Sequence, residues 1–139
     1  MPPTTGVSHV SLTVSDLDRS IPFYEKAFGL ATLFRGRNDT EGFEVAYLAE
    51  PSSGLLIGLT RHDAVDPGQF NPRLTGLDHF SIGVPDRAAV DAWARHLDEA
   101  GIEHEPPVEQ PPFGTGMTFK DPDGIALEVY HLIPPAAAK

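Results

Sequence analysis

A chain of 139 residues, 40% of them hydrophobic, has the apolar content for one compact unit or two tightly fused halves, which argues against disorder throughout. Its 20 acidic residues outnumber 10 basic ones, and the formal charge of -10 opposes phosphate backbones, so nucleic acid is excluded as an expected partner. There is no cysteine, hence no disulfide frame, thiolate metal site or thiol nucleophile, a composition that fits a reducing cytoplasm.

Residues 1–6, MPPTTG, have neither a basic region nor an apolar run. They do not read as a signal peptide and are expected to be disordered. No stretch has the length of a membrane span, so no membrane partner is expected. The first strand is SHVSLTV, Ser8 to Val14. Alternation puts Val10, Leu12 and Val14 on one face and His9, Ser11 and Thr13 on the other. A helix follows through LDRSIPFYEKAFG, with Ser15 or Asp16 as its cap and Gly29 as its end. Pro22 is tolerable only near the beginning of such a helix. Three strands complete the half: ATLFRG, GFEVAYLAE and GLLIGLTR.

After a breaker-rich linker over residues 61–76, the same order begins again. DHFSIGV, Asp78 to Val84, stands 70 residues beyond the first strand and carries His79, Ser81 and Gly83 on its less apolar face. The second helix runs through PDRAAVDAWARHLDEAG, capped by Asp86, striped by Val90, Trp93, Ala94 and Leu97, and closed by Gly101. EHEPPVEQPPFGTG is too rich in proline for a central strand and reads as a loop covering a cleft. GMTFKD and GIALEVYHL are the last strands. The expected organisation is therefore module one over residues 7–60, the linker, module two over residues 77–133, and a flexible tail at residues 134–139.

The repeat aligns GLLIGLT with GIALEVY, so Gly58 corresponds to Glu128. Glu128 shares a strand face with Ala126 and Tyr130, and a carboxylate among apolar neighbours needs a partner if buried. Two histidines and one glutamate thus fall at corresponding strand positions. His9, His79 and Glu128 would make a facial triad for a divalent metal, with Fe(II) or Mn(II) favoured and Ni(II), Co(II) or Zn(II) as alternatives. Such a set leaves coordination positions open for substrate with water or dioxygen. Tyr130, on the face of Glu128, and His62, just past the first-half strand, are the candidate catalytic side chains. His62 is also a candidate to replace the missing fourth ligand. Ser11, Thr13, Ser81, Phe113 and Phe119 are the candidate substrate contacts.

Three segments, HVSLTVSDLDRSIPFYEKAFGL, GLDHFSIGV and FKDPDGIALEVY, also carry a family resemblance. Over Val7 to Leu132 the chain resembles the vicinal oxygen chelate superfamily, which includes glyoxalase I, extradiol dioxygenases, and fosfomycin- and bleomycin-resistance proteins. The resemblance implies an α+β fold of two tandem βαβββ modules, with curled mixed sheets around a cleft, and metal ligands at His9, His79 and Glu128. Glyoxalase I commonly adds a fourth ligand where this chain has Gly58, which counts against a literal glyoxalase. A phosphonate substrate would need clustered cations, which the cleft strands lack beyond Lys120. The expected function is a metal-dependent enzyme acting on a small oxygen-bearing substrate, leaning toward a dioxygenase-like oxidoreductase. The alternatives are a glyoxalase-like lyase or isomerase, or a drug-binding protein without chemistry. A homodimer is expected, with ligands drawn from one chain or from two.

Overall fold

The computed structural model describes residues 1–66 and 68–134. The chain divides into two units, Met1–Gly68 and Gln69–Lys139. The first contains β1 (Val10–Thr13), α1 (Leu17–Phe28), β2 (Ala31–Asn38), β3 (Phe43–Glu50) and β4 (Leu55–His62). The second contains β5 (Phe80–Gly83), α2 (Arg87–Ala100), β6 (Val108–Gln110), β7 (Gly114–Lys120) and β8 (Ala126–Leu132). The sheet orders are β1-β4-β3-β2 and β5-β8-β7-β6. In each, the strand before the helix pairs parallel with the last strand and the other pairs are antiparallel, so both sheets are mixed.

Local chemistry explains the repeated helix. Asp16 accepts from the Asp18 N–H at 2.9 Å, and Asp86 from that of Ala89 at 2.8 Å, each satisfying an orphan donor of the first turn. Both helices end on a glycine in the left-handed region, Gly29 at φ 64° and Gly101 at φ 68°. Each helix covers one face of its own sheet. In the first unit Leu12, Ala46, Leu48, Ile57 and Leu59 form that buried face beneath Tyr24 and Ala27 of α1. In the second, Met117, Phe119, Leu127 and Val129 lie beneath Val90 and Leu97 of α2.

The two βαβββ modules are as expected, but the sheets are open and not curled. The pairing stops at β1 and β2 in one sheet and at β5 and β6 in the other. Closure needs the outer strands to meet, and a sheet of four strands has too little circumference for that. The proline-heavy segment also contains more than a loop: Val108–Gln110 forms β6, and β7 begins at Gly114. Both are reconciled by position, since β6 is a short edge strand flanked by prolines and not a central one. The tail expected at residues 134–139 lies, except for Pro134, outside the described residues. No helix among the described residues is long and apolar enough to cross a membrane.

Candidate functional site

With a helix covering one face, each sheet presents its other face as the place for chemistry. Alternation and register identify what stands there. In the second unit Ser81 lies opposite Glu128 on one side and Thr118 lies opposite it on the other. Tyr130, two residues on, lies between Gly83 and Gly116. Gly116 is needed here: a Cβ would come 2.9 Å from Tyr130 Cδ2 and 3.2 Å from Glu128 Oε2. The Tyr130 hydroxyl donates to Gln110 Oε1 at 3.2 Å.

His79 immediately precedes β5 and meets two carboxylates. Its Nδ1 is 2.6 Å from Asp78 Oδ1, and its Nε2 is 3.6 Å from Glu128 Oε1. An ionised carboxylate only accepts, so the Asp78 contact calls for a proton on Nδ1. In the neutral ring this leaves the Nε2 lone pair facing Glu128, as carboxylate–histidine–metal arrangements require. Two acceptors facing each other need a cation or a proton between them. Donors each about 2.1 Å from one ion lie roughly 3.0–4.2 Å apart, depending on the angle, so the pair fits two ligands of a metal. The Glu128 side chain is 13% exposed and that of His79 46%.

His9 precedes β1 in the same way. Its Nδ1 is 3.0 Å from Ser8 Oγ, so the residue before each histidine contacts the same ring nitrogen. The His9 ring is edge-on to Tyr47, with centroids 6.2 Å apart. Ser11 Oγ is 3.4 Å from Thr60 Oγ1, and Thr13 lies opposite Thr60 in register, so Ser11 and Thr13 stand on this open face. At Gly58 a Cβ would meet Ser11 Oγ at 2.9 Å and Tyr47 Cε1 at 3.2 Å. At the position where a fourth ligand was considered, any side chain would therefore have to displace Ser11 or Tyr47. Among the described residues, no group of three or more His, Cys, Asp or Glu side chains is gathered as metal ligands. His79 and Glu128 form a pair, and the first unit contributes His9 by itself.

Other expectations need correction. Phe119 is 3% exposed on the face of Met117, beneath α2, whereas Glu128 faces the other way. It is a core residue, because one step along a strand reverses the side. His62 ends β4 against Phe43, with ring centroids 5.8 Å apart. His9 precedes Val10, which pairs with Ile57, so His62 stands about 20 Å further along the strand direction, too far to complete a ligand set with this His9. Phe113 lies in the turn before β7 and is 63% exposed. Tyr47 was missed: FEVAYLAE alternates, which places Tyr47 with Phe43 and Val45, but only the register sets it beside Gly58 and His9.

Strong ion pairs lie away from this face. Arg37 donates to both oxygens of Asp63, at 2.9 and 2.7 Å, and to Asp39 at 2.6 Å. The hydrogen bonds with Asp63, then Asp39, raise the Arg37 guanidinium further above its ordinary value, and those from Arg37 hold Asp63 below the usual carboxylate range. They tie the ends of β2 and β4 together.

Comparison with known proteins gives a consistent result. Residues 6–129 match the family model for the Glyoxalase/Bleomycin resistance protein/Dioxygenase superfamily. An uncharacterised protein of Pseudomonas aeruginosa is 32% identical, covering 92% of this chain and 88% of its own length. A probable lactoylglutathione lyase of Vibrio cholerae is also 32% identical, over 88% of each chain. The glyoxylase/bleomycin resistance protein/dioxygenase domain from a Frankia strain is 38% identical with a TM-score of 0.83, over 94% of this chain and 100% of that one. The fold is also that of FosX, a fosfomycin resistance protein of Listeria monocytogenes solved with Mn(II) and sulfate, at 19% identity and a TM-score of 0.64, over 94% of this chain and 95% of that one.

Proposed function

Because the chain belongs to the Glyoxalase/Bleomycin resistance protein/Dioxygenase superfamily, we propose that it is a divalent-metal enzyme acting on a small oxygen-bearing organic molecule, with dioxygenase-like oxidoreductase chemistry. The observation that carries the reading is the His79–Glu128 pair, 3.6 Å apart with the far ring nitrogen anchored on Asp78. His9 is the third ligand. A homodimer is part of this reading, with His9 meeting His79 and Glu128 of the same chain or of a second copy. Fe(II) or Mn(II) suits this donor set, with Ni(II), Co(II) or Zn(II) as substitutes.

A divalent ion held there supplies Lewis acidity to substrate oxygens and, if redox-active, a place for dioxygen. The chain's own groups do the rest. Asp78 fixes the His79 ring, and Glu128 balances the ion's charge. The Tyr130 hydroxyl, on the same face, is placed to contact substrate and exchange a proton once it leaves Gln110. Ser11, Thr13 and Ser81 offer hydroxyls to substrate polar groups, and the exposed Phe113 offers an apolar cover. Gly58 supplies no side chain for a fourth ligand, and a Cβ there would crowd Ser11 Oγ at 2.9 Å, which favours oxygenase chemistry over a glyoxalase-like lyase. A second reading, a ligand-binding protein without chemistry, draws support from the uncharged, aromatic face of the first unit.

The test is anaerobic loading with Fe(II), followed by oxygen uptake with a panel of vicinal diols. The reading expects uptake that depends on substrate. Turnover without oxygen consumption would replace it with the lyase or isomerase, and tight retention of an organic ligand by protein that takes up no metal would replace it with the binding protein.

A further inference from the structure

The Tyr130 ring leans across β7 toward β6. A Cβ built on Gly116 would come 2.9 Å from its Cδ2 and 3.1 Å from its Cε2, and one built on Gly114 would come 3.0 Å from its Cε1. The hydroxyl thereby reaches the edge strand, where it donates to Gln110 Oε1 at 3.2 Å. The first unit supplies an internal comparison. Its register sets Thr60 beside Val45 and His62 beside Phe43, where the second unit has Tyr130 beside Gly116 and Leu132 beside Gly114. The bulk of Phe43 and Val45 on the inner strand is thus exchanged for two glycines, and Thr60 on the last strand for a tyrosine. Glycine inside a strand weakens it and often marks a close approach, so two of them under one ring mark a pose that the sequence specifies. Gln110 is also held from behind. β6 is an edge strand of three exposed residues. Successive side chains on a strand point to opposite faces, so Glu109 turns to the helix side, where Arg87, the first residue of α2, donates to it at 2.7 Å. Two neighbouring residues therefore moor β6, one to the helix and one to Tyr130.

We propose that Gln110 is a positioning residue that latches Tyr130 in a resting pose over Gly114 and Gly116, and that β6 is the strap that carries the latch. The inference rests on the reading of Tyr130 as a group that contacts substrate. A phenol has one proton to donate. While that proton is spent on Gln110, Tyr130 offers none to substrate, and substrate engages the molecules in which the latch is open. Apparent affinity is then reduced by the fraction of molecules that are open. A neutral, exposed hydrogen bond sits at the low end of the usual range and shifts such an equilibrium about two- to fivefold. Once substrate is bound the latch is already open, so its removal acts on KM and leaves kcat in place. Glu109 acts on the same latch without facing substrate, because it lies on the other side of the sheet.

The experiment has two arms, both on the full chain. The first uses chelator-treated protein and NMR. In the wild type, nuclear Overhauser contacts should join the Tyr130 ring protons to the Hα atoms of Gly114 and Gly116. Gln110→Ala should weaken those contacts, and Glu109→Ala should weaken them less; both side chains are on an exposed strand, so the fold should hold. The second arm measures oxygen uptake by Fe(II)-loaded protein with the most active vicinal diol. Gln110→Ala should lower KM about two- to fivefold with kcat within twofold, and Glu109→Ala should lower KM by a smaller factor. Loss of a merely structural contact would raise KM or lower kcat. Absence of the ring-to-glycine contacts in the wild type, their persistence at full strength in Gln110→Ala, or a KM in that variant that is unchanged or raised would overturn the proposal. Oxygen uptake with unaltered KM would sink this inference alone. Ring-to-glycine contacts that respond to Gln110→Ala, without turnover of any diol, would sink the oxygenase reading and leave the latch standing.

Discussion

Replacing Asp78 by alanine isolates the part of the proposed metal site that the structure defines most sharply. Asp78 touches no proposed substrate position; its contact is with His79 Nδ1, at 2.6 Å. Removing it frees the ring to turn and lowers the basicity of Nε2. Loss of such an outer partner typically costs 10- to 100-fold in metal affinity. Here the carboxylate is 76% exposed, so water screens much of its charge and the lower end applies, about tenfold or ~1.4 kcal/mol. Asp78→Asn separates the two contributions. The amide oxygen still accepts the Nδ1 proton, so orientation survives and the expected loss is only a few-fold. Ser8→Ala, at the matching place before His9, removes a neutral partner 3.0 Å away and should cost about as little. Competition with a chelator of known affinity, using Mn(II) and then Zn(II), measures all three. Wild-type affinity in Asp78→Ala would refute the assignment of Nε2 as the metal-facing nitrogen.

Further outcomes follow from the same geometry. Leu127 is fully buried beneath α2, and Leu127→Ala should destabilise the second unit by about 2–5 kcal/mol in chemical denaturation; a cost below about 1 kcal/mol would contradict its place in the core. Asp86→Ala removes the cap of α2 and should cost about 1 kcal/mol by the same measurement, with no loss indicating that the cap bond is unimportant in solution. Hydrogen bonds from the Ser52 and Ser53 hydroxyls and N–H groups lower Glu50 from 4.5 to about 2. Its contribution to stability is therefore full above the ordinary value and lost as pH falls toward about 2; carboxyl NMR should find that midpoint, and one near 4.5 would show the turn to be open. Mixing His9→Ala with Glu128→Ala chains should restore part of the activity if ligands come from two copies, and no recovery would confine them to one.

Much of this architecture was legible because the chain states it twice. The offset of 70 between SHVSLTV and DHFSIGV predicts two equivalent modules, and Asp16, Gly29, Asp86 and Gly101 mark both helices through backbone chemistry alone. Alternation correctly placed Ser81 and Tyr130 on the face of Glu128. What alternation lacks is register. It cannot say that Tyr47 crosses to Gly58, nor how far His62 stands from His9. Phe119 illustrates a different failure, since an aromatic near a candidate site reads as a contact unless its side is counted residue by residue from Glu128's neighbours. His104 shows the same dependence on the path of the chain: its Nδ1 is 2.7 Å from the Glu105 carbonyl oxygen and its Nε2 3.2 Å from Asp98, contacts that depend on how the chain returns past α2. Sheet curvature is likewise absent from a strand pattern, which is why curled sheets were expected where open ones are found.

The central claim is that His9, His79 and Glu128 hold a divalent ion. Mn(II) titration of the chelator-treated protein, followed by electron paramagnetic resonance of the free ion, tests it most directly. The account predicts one tightly bound ion per chain in the wild type, and loss of that binding in His79→Ala and Glu128→Ala variants whose folds are verified by circular dichroism. No tight binding in the wild type, or the same occupancy in both variants, would contradict it.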